Sequence, residues 1–171
     1  MIKLLIVDDH ELVRTALTCM LDSISGVQVV GQAANGEEAV QKSSLLQPDV
    51  VLMDVRMPGI GGVEATRRIL RHQPETRVIA LTAYDDDPFP NRLLQAGAMG
   101  YITKDSNLDE MLNAIRKVHS GQRYISVKIA QELALKRFSG DAETSDQTGA
   151  PVLHPHRIRH RPADMPGGIR R

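Results

Sequence analysis

Five side chains with complementary chemistry stand at or just after the ends of short apolar runs: Asp8, Asp9, Asp54, Thr82 and Lys104. Carboxylates gathered in one place raise each other's pKa unless a cation lies between them. Mg²⁺ prefers such oxygen ligands and often shares its shell with phosphate oxygens, while a lysine supplies a point charge for a phosphoryl group. A carboxylate can itself attack phosphorus. The set therefore predicts Mg²⁺-assisted phosphoryl transfer, which needs mainly positioning and charge neutralisation.

The elements that must position these residues alternate regularly along the chain. Apolar runs of strand length lie at 4–7, 27–31, 49–54, 77–82 and 100–103, and a stretch with helical spacing follows each of them. The first helix is predicted to place its apolar face at Leu12, Val13, Ala16, Leu17, Met20, Leu21 and Ile24. Five strands alternating with five helices predict an α/β fold with a doubly wound, five-stranded parallel sheet.

The order of the strands decides whether the five side chains meet. In the flavodoxin-like order 2-1-3-4-5, strand 1 is next to strand 3 and strand 4 lies on the other side of strand 3. Asp8, Asp9 and Asp54 then share one carboxyl edge with Thr82, and the long side chain of Lys104 reaches across from strand 5. Each residue alone also fits an ordinary role; Asp54, for example, could simply end a strand and start a turn. Five complementary residues at the ends of four strands favour the functional interpretation.

The composition excludes some classes of function. Residues 1–138 of the 171-residue chain carry 16 basic and 17 acidic groups, so the body of the protein offers no bulk electrostatic reason to bind nucleic acid. The single cysteine, Cys19, permits no disulfide within the chain. No apolar run is long enough for a signal peptide or a bilayer span. We therefore expect a cytoplasmic protein with no membrane partner.

The same residues and their neighbours carry a resemblance to a known family. Residues 1–122 resemble the receiver domain of bacterial two-component response regulators, which has a CheY-like fold. The motifs are similar to those of the NarL/FixJ family, and most closely to its GacA/UvrY-type members. The matching motifs are Asp8-Asp9, Asp54 with Met57-Pro58 and Gly62, Thr82-Ala83, Lys104, and the runs 7–14, 87–90 and 121–126. The resemblance implies a phosphorelay protein whose parent family regulates transcription.

The resemblance also implies a role for each acidic residue. Asp54 is expected to accept a phosphoryl group from a histidine of a sensor kinase. Asp9 and Asp54 are expected to ligate Mg²⁺, with Asp8 acting largely through water and the backbone carbonyl of Arg56 completing the protein's ligands. The implied catalysis is limited to self-phosphorylation and self-dephosphorylation, without turnover of a separate substrate.

Three further residues receive roles by the same resemblance. Thr82 and Lys104 are implied to contact the phosphoryl oxygens, and Tyr101 is implied to turn inward as Thr82 moves. The alternative for Tyr101 is an ordinary amphipathic residue at the edge of the sheet. The chain departs from the family pattern at Asp105, because many receivers have a proline after the lysine. The resemblance therefore leaves open where Lys104 lies over the site.

Beyond the receiver, the sequence changes character. Residues 123–138 are predicted to form a linker helix, and residues 139–171 a disordered basic tail with five Arg against the single Asp164 from residue 150 onward. The helix-turn-helix output domain of the family is not recognised, and we interpret the tail as an out-of-frame or truncated end. Specific DNA binding is therefore not expected. The expected partners are a sensor histidine kinase and, in a dimer, a second copy or an intact regulator.

Other functions stay open at this point. The chain could be a stand-alone or dominant-negative receiver that competes for the kinase or pairs with intact copies. It could also regulate transcription through the basic tail, in which case DNA binding would weaken with salt. A flavin-binding domain on the same fold is disfavoured, because an acidic edge repels a cofactor phosphate.

Overall fold

Strands and helices alternate along the part of the chain that the computed structural model describes, residues 1–83, 90–131 and 134–135. The elements are β1 (Ile2–Val7), α1 (Glu11–Asp22), β2 (Val27–Ala33), α2 (Gly36–Leu46), β3 (Val50–Asp54), α3 (Gly61–His72), β4 (Arg77–Thr82), α4 (Pro90–Ala96), β5 (Gly100–Thr103), α5 (Leu108–His119) and β6 (Tyr124–Ile125). A further helical stretch begins at residue 127. The acidic and proline-containing run at 85–89 is predicted from the sequence to open the fourth helix. That run, the end of the predicted linker helix and the predicted tail lie outside the described residues.

The sheet has the order β2-β1-β3-β4-β5-β6, and each neighbouring pair is parallel. The predicted doubly wound α/β fold is confirmed, and the first five strands have the predicted order. The number of strands differs, because β6 lies where the sequence predicts the start of the linker helix. It pairs Tyr124 with Gly100 and Ile125 with Tyr101. A strand of two residues is too short to show a period-two pattern, so the sequence gives no sign of it.

Aliphatic side chains cover both faces of the sheet. One face packs against α1 and α5 through residues such as Leu21 and Ile115, and the other packs against α2 and α3 through Ala39 and Ile69. Because both faces are covered, the sequences of the strands are unbroken apolar runs rather than alternations of apolar and polar residues. Every residue of β3 is buried, Asp54 included. The phosphoacceptor candidate thus ends a strand that is covered on both sides.

Two asparagine caps fix where α2 and α5 begin. The side chain of Asn35 accepts a hydrogen bond from the backbone of Glu38, and that of Asn107 accepts one from the backbone of Glu110, both at 2.8 Å. Such caps contribute about 1 kcal/mol each. The run Asn35-Gly36-Glu37-Glu38 predicts the first of these caps from the sequence, and the structure confirms it. None of the helices in the described part of the chain has the length and apolarity needed to cross a bilayer.

Gly62 lies where α3 passes the end of β3. A Cβ atom at this position would lie 2.4 Å from the backbone oxygen of Asp54 and 3.0 Å from Cα of Val55. We expect Gly62→Ala to lower the free energy of unfolding by about 1–3 kcal/mol, the usual cost of overpacking. Urea unfolding followed by circular dichroism measures this change.

Gly31→Ala is the matched control for that substitution. A Cβ at Gly31 would meet the ends of two flexible side chains, Leu46 at 2.6 Å and Leu5 at 3.4 Å, rather than backbone. Both variants add one methyl group at a position with a neighbouring atom closer than 3 Å. Only in Gly62→Ala is that neighbour a backbone atom, which cannot move aside as the end of a side chain can. An equal or larger loss of stability in Gly31→Ala would contradict the prediction.

Candidate functional site

The register of the sheet brings the polar strand ends together. β1 pairs with β3 as far as Met53, β3 pairs with β4 through Asp54, and β4 pairs with β5 through Thr82. The backbone N–H of Lys104 donates to the carbonyl of Thr82 at 2.8 Å. Because parallel neighbours end at the same edge, Asp8 after β1 reaches the same place. The arrangement expected from the strand order is therefore the one observed.

Lys104 lies between two buried carboxylates. Its Nζ is 3.0 Å from Oδ2 of Asp8 and 3.2 Å from Oδ2 of Asp54. Asp8 is fully buried and Asp54 is 3% exposed. The bond from Lys104 to Asp105 is trans, so the missing proline of the family pattern does not keep the amine away from the acidic cluster. The position of Lys104, which the sequence left open, is directly over both carboxylates.

The two buried carboxyl groups have pKa values that move apart. Burial raises the pKa of Asp54, and the neighbouring charge of Asp8 raises it further, to about 6, although Lys104 acts in the opposite direction. Burial also acts to raise the pKa of Asp8. There the hydrogen bond from the backbone of His10 and the contact with Lys104 outweigh burial, and the pKa lies below its ordinary value. Asp8 therefore stays ionised under conditions in which Asp54 begins to take up a proton.

The raised pKa of Asp54 predicts how stability depends on pH when no divalent ion is bound. Between the ordinary value of 3.8 and about 6, the folded chain holds a proton that the unfolded chain has released. Stability from this group is therefore greatest at low pH, and it falls by about 3 kcal/mol as the pH rises through that window. The ionised carboxylate of Asp8 stabilises the fold, and this stabilisation is lost as the pH falls. Because the pKa of Asp8 is lowered, that loss occurs below pH 3.8 and outside the window of Asp54.

Urea unfolding in EDTA, from pH 4 to pH 8, tests this dependence against Asp54→Asn, which has no group to titrate. We expect the stability of the unsubstituted chain, relative to that variant, to fall as the pH rises towards 7. Parallel curves for the two proteins would show that Asp54 titrates with an ordinary pKa.

An open hollow of about 300 Å³ lies over these residues. Its lining consists of Asp9, His10, Asp54, Val55, Arg56, Thr82, Ala83 and Lys104. A larger hollow of about 770 Å³ lies by the opposite ends of the strands, beside Asp49 and Arg77, and contains none of the predicted site residues. The smaller hollow is the one in which a buried nucleophile, a hydroxyl group and an amine meet.

The acidic residues around the hollow fit a divalent cation. Oxygens of Asp8, Asp9 and Asp54, with a ring nitrogen of His10, all lie within 4.8 Å of one another. Oδ2 of Asp8 and Oδ2 of Asp54 are buried and face Lys104 without forming a well-directed hydrogen bond. Carboxylate oxygens with unused lone pairs are the donors that Mg²⁺ prefers. The donor set therefore fits the ion that the sequence predicts, without showing one.

The remaining predicted residues divide into two groups. The backbone N–H of Arg56 donates to Oδ1 of Asp54 at 3.3 Å, so Arg56 adjoins the phosphoacceptor candidate. Thr82 lines the same hollow, and its hydroxyl donates to the carbonyl of Ala83 at 3.2 Å. Tyr101 does not line the hollow. It is 1% exposed, and its buried hydroxyl has no hydrogen-bond partner among the described residues. Its ring is thus inside the protein, and its role as a switch stays a prediction.

Sequence reasoning missed a support for the loop after β3. Oε1 of Glu37, in the first turn of α2, accepts a hydrogen bond from the backbone of Ile60 at 3.0 Å. Gly59 has a φ of +84°, and a Cβ there would lie 2.6 Å from the same carboxylate. The loop that follows Asp54 is therefore held against α2. An acidic residue in the first turn of a predicted helix was the available signal for it in the sequence.

His10 was also missed as a site residue. It lines the hollow, and its Nδ1 lies 3.1 Å from Oδ1 of Asp8 and 3.0 Å from Oδ1 of Asp9. Its place directly after the two aspartates at the end of β1 was the available signal. A histidine is the side chain that most often binds metals in proteins, so its presence bears on the chemistry of the cluster.

Comparison with known proteins agrees with this geometry. The family model for the response regulator receiver domain matches residues 4–116. The response regulator GacA of Pseudomonas syringae pv. syringae is 61% identical over 145 residues, which are 85% of this chain and 68% of that protein. The response regulator UvrY of Escherichia coli is 48% identical over 145 residues, which are 85% of this chain and 66% of that protein. The chain thus spans about two thirds of the length of these relatives.

Solved structures show the same likeness. The crystal structure of a two-component response regulator of the LuxR family from Aurantimonas sp. matches with a TM-score of 0.75 and 36% identity, covering 80% of this chain and 98% of that one. The response regulator domain of Thermotoga maritima CheB matches with a TM-score of 0.64 and 35% identity, covering 70% of this chain and 96% of that one. With the acidic strand ends and the lysine in place, the chain belongs to the family of two-component response regulators, through a receiver domain homologous to those of GacA and UvrY.

Proposed function

We propose that Asp54 accepts a phosphoryl group from a phosphohistidine of a sensor kinase, and that the chain later hydrolyses the resulting acyl phosphate. One observation carries the proposal: a buried carboxylate lines an open hollow, with the amine of Lys104 3.2 Å from its Oδ2. A carboxylate that is held in this way can attack phosphorus while its own charge is balanced.

The chemical step follows from the groups that are present. A carboxylate oxygen of Asp54 forms a bond to phosphorus as the bond between phosphorus and the histidine nitrogen breaks, and the histidine regains a proton from solvent. Because the pKa of Asp54 is about 6, most of this carboxylate is ionised at neutral pH. In hydrolysis, water attacks phosphorus, inorganic phosphate leaves, and the carboxylate of Asp54 is restored.

Lys104 and Thr82 are the groups placed to bind the phosphoryl oxygens. The amine of Lys104 now contacts two carboxylates, and a phosphoryl group on Asp54 would offer it a stronger negative partner. The hydroxyl of Thr82 donates to a neighbouring backbone carbonyl at 3.2 Å and can turn to donate to a phosphoryl oxygen instead. Tyr101 is proposed to respond to that movement of Thr82.

Asp9, Asp54 and the backbone carbonyl of Arg56 are proposed to bind Mg²⁺, with Asp8 acting through water. When bound, the ion would neutralise charge on the phosphoryl oxygens, as it does in phosphoryl transfer generally. The single free cysteine and the family's usual setting support a cytoplasmic location. Pairing with a second copy or with a longer regulator is part of the same proposal.

Acetyl phosphate, which needs no kinase, gives the direct test. We expect the intact chain to gain the mass of one phosphoryl group when Mg²⁺ is present, and peptide mapping to place that group on Asp54. EDTA should reduce the gain to background, because the carboxylates and the incoming phosphate then repel each other. Inorganic phosphate in place of acetyl phosphate is the control. A gain in mass that EDTA does not reduce, or a phosphoryl group that maps to another residue, would contradict the proposal.

A further inference from the structure

His10 holds its ring against the acidic cluster at the mouth of the hollow. Its Nδ1 lies 3.1 Å from Oδ1 of Asp8 and 3.0 Å from Oδ1 of Asp9. Its backbone N–H also donates to Oδ1 of Asp8 at 2.8 Å, which fixes where the residue leaves β1. The ring itself is largely exposed, with 66% of the side chain accessible. It can therefore meet a solute without a rearrangement of the core.

The spacing of these atoms matches that of neighbouring ligands around one ion. Adjacent donors in an octahedral shell with bonds of about 2.1 Å are separated by about 3.0 Å. The ring nitrogen lies at that distance from two carboxylate oxygens, and an oxygen of Asp54 completes a group of four within 4.8 Å. Without an ion, the ring nitrogen and the carboxylate of Asp8 are within hydrogen-bond distance. A divalent ion bound by the ring nitrogen would take the place of that contact.

We propose that His10 is a metal-binding residue, which makes the acidic cluster a mixed nitrogen and oxygen site that binds later first-row divalent ions more tightly than Mg²⁺. The proposal rests on the metal site of the proposed function and adds to it the identity of the preferred ion. Mg²⁺ gains little from a nitrogen donor, because it prefers oxygen and keeps several waters. Co²⁺, Ni²⁺ and Zn²⁺ accept imidazole readily and rank above the harder ions in affinity.

The two kinds of ion share carboxylates, so they compete. Asp9 and Asp54 belong both to the proposed Mg²⁺ ligands and to the cluster around His10. An ion held by the imidazole therefore displaces Mg²⁺ rather than adding to it. His10 would be a residue that determines ion specificity, at the end of β1 and outside the set of phosphoryl contacts.

Co²⁺ is the probe for the test, because its paramagnetism identifies the residues that bind it. Of the five other histidines in the chain, three lie close together in sequence at 154, 156 and 160, so the measurements use the variant in which these three are replaced by Gln. In that background we compare His10→Asn with His119→Asn, a second exposed histidine that lies at the end of α5 and is not part of the cluster. Affinity is measured by titration, and Mg²⁺ affinity is measured by competition.

We expect His10→Asn to weaken Co²⁺ binding by more than about tenfold, since even outer-shell partners of a metal contribute that much. Mg²⁺ affinity should change less than twofold. In the chain that keeps His10, its ring proton signals should move outside the normal NMR range when Co²⁺ is added. His119→Asn should change neither affinity.

Unchanged Co²⁺ affinity in His10→Asn, or unshifted His10 signals with Co²⁺ bound, would overturn the proposal while leaving the Mg²⁺ site intact. If the chain that keeps His10 bound neither Co²⁺ nor Mg²⁺ at the acidic cluster, the metal site of the proposed function would be overturned instead. Equal losses of Co²⁺ and Mg²⁺ affinity in His10→Asn would overturn the specificity argument, because they would show that His10 merely orients the carboxylates.

Discussion

Asp54→Asn should gain no phosphoryl group from acetyl phosphate in the presence of Mg²⁺, while the unsubstituted chain gains one. The amide that replaces the carboxylate has nearly the same size, but its oxygen lacks the negative charge and the nucleophilicity that attack on phosphorus requires. The change also removes one proposed ligand of Mg²⁺. Because both effects act on the same step, we expect loss to the detection limit of intact-mass measurement.

The loss in Asp54→Asn must not reflect unfolding, and the structure predicts that it does not. The substitution removes one of two buried negative charges that repel each other, so at neutral pH without a divalent ion the variant should be at least as stable as the unsubstituted chain. Asp109→Asn, on the first turn of α5, is the control for the loss of one exposed carboxylate and should be phosphorylated normally. Undiminished phosphorylation of Asp54→Asn would place the acceptor at another residue.

Lys104→Met should lower the free energy of unfolding by about 3 kcal/mol at neutral pH in EDTA. The substitution leaves the buried carboxylates of Asp8 and Asp54 without the cation that now lies 3.0 and 3.2 Å from them. Removing one member of a buried ionic group is strongly destabilising, because the remaining charges cannot recover their hydration. Chemical unfolding of the purified variant measures the loss.

Two changes of conditions should each restore part of the stability that Lys104→Met loses. Acid should restore part of it, since protonation of Asp54 removes one of the two charges, and Mg²⁺ should restore part of it by taking the place of the amine. Lys128→Met is the matched control, because Lys128 also pairs with an aspartate, Asp105 at 3.1 Å, but both side chains are more than half exposed. Exposed pairs contribute at most about 1 kcal/mol. Equal effects of the two substitutions would show that burial does not decide the strength of the Lys104 contacts.

The fold and most of the site could be predicted because the carboxyl ends of neighbouring parallel strands lie at the same edge of the sheet. Once β1 and β3 are neighbours, Asp8 and Asp54 must lie side by side whatever the details of the helices. The apolar runs that reveal the strands are long and buried on both faces, so they leave a strong pattern. The site residues stand at the ends of these runs or directly after them, where the register of the sheet fixes their positions to within a residue.

The features that sequence reasoning missed depend on smaller differences in free energy. The predicted apolar face of α1 was too wide, since Leu12 is 82% exposed and Met20 is 40% exposed. A helix at the edge of a core needs only part of its apolar residues to stay folded, and periodicity does not tell which part. The position of the His10 ring depends on side-chain torsions, which no sequence pattern reports.

The short sixth strand forms one outer edge of the sheet, next to β5. An open outer strand presents unpaired backbone groups to which another chain can add. β6 covers only the first half of β5, at Gly100 and Tyr101. The last hydrogen bond of this pairing runs from the backbone of Ser126 to the carbonyl of Tyr101 at 3.0 Å, and a helical stretch begins at residue 127. The edge is thus too short and too interrupted to be a template for strand addition. The pairing of β6 and the hydrogen bond of Ser126 also tie the end of the sheet to β5, the strand that leads to Lys104.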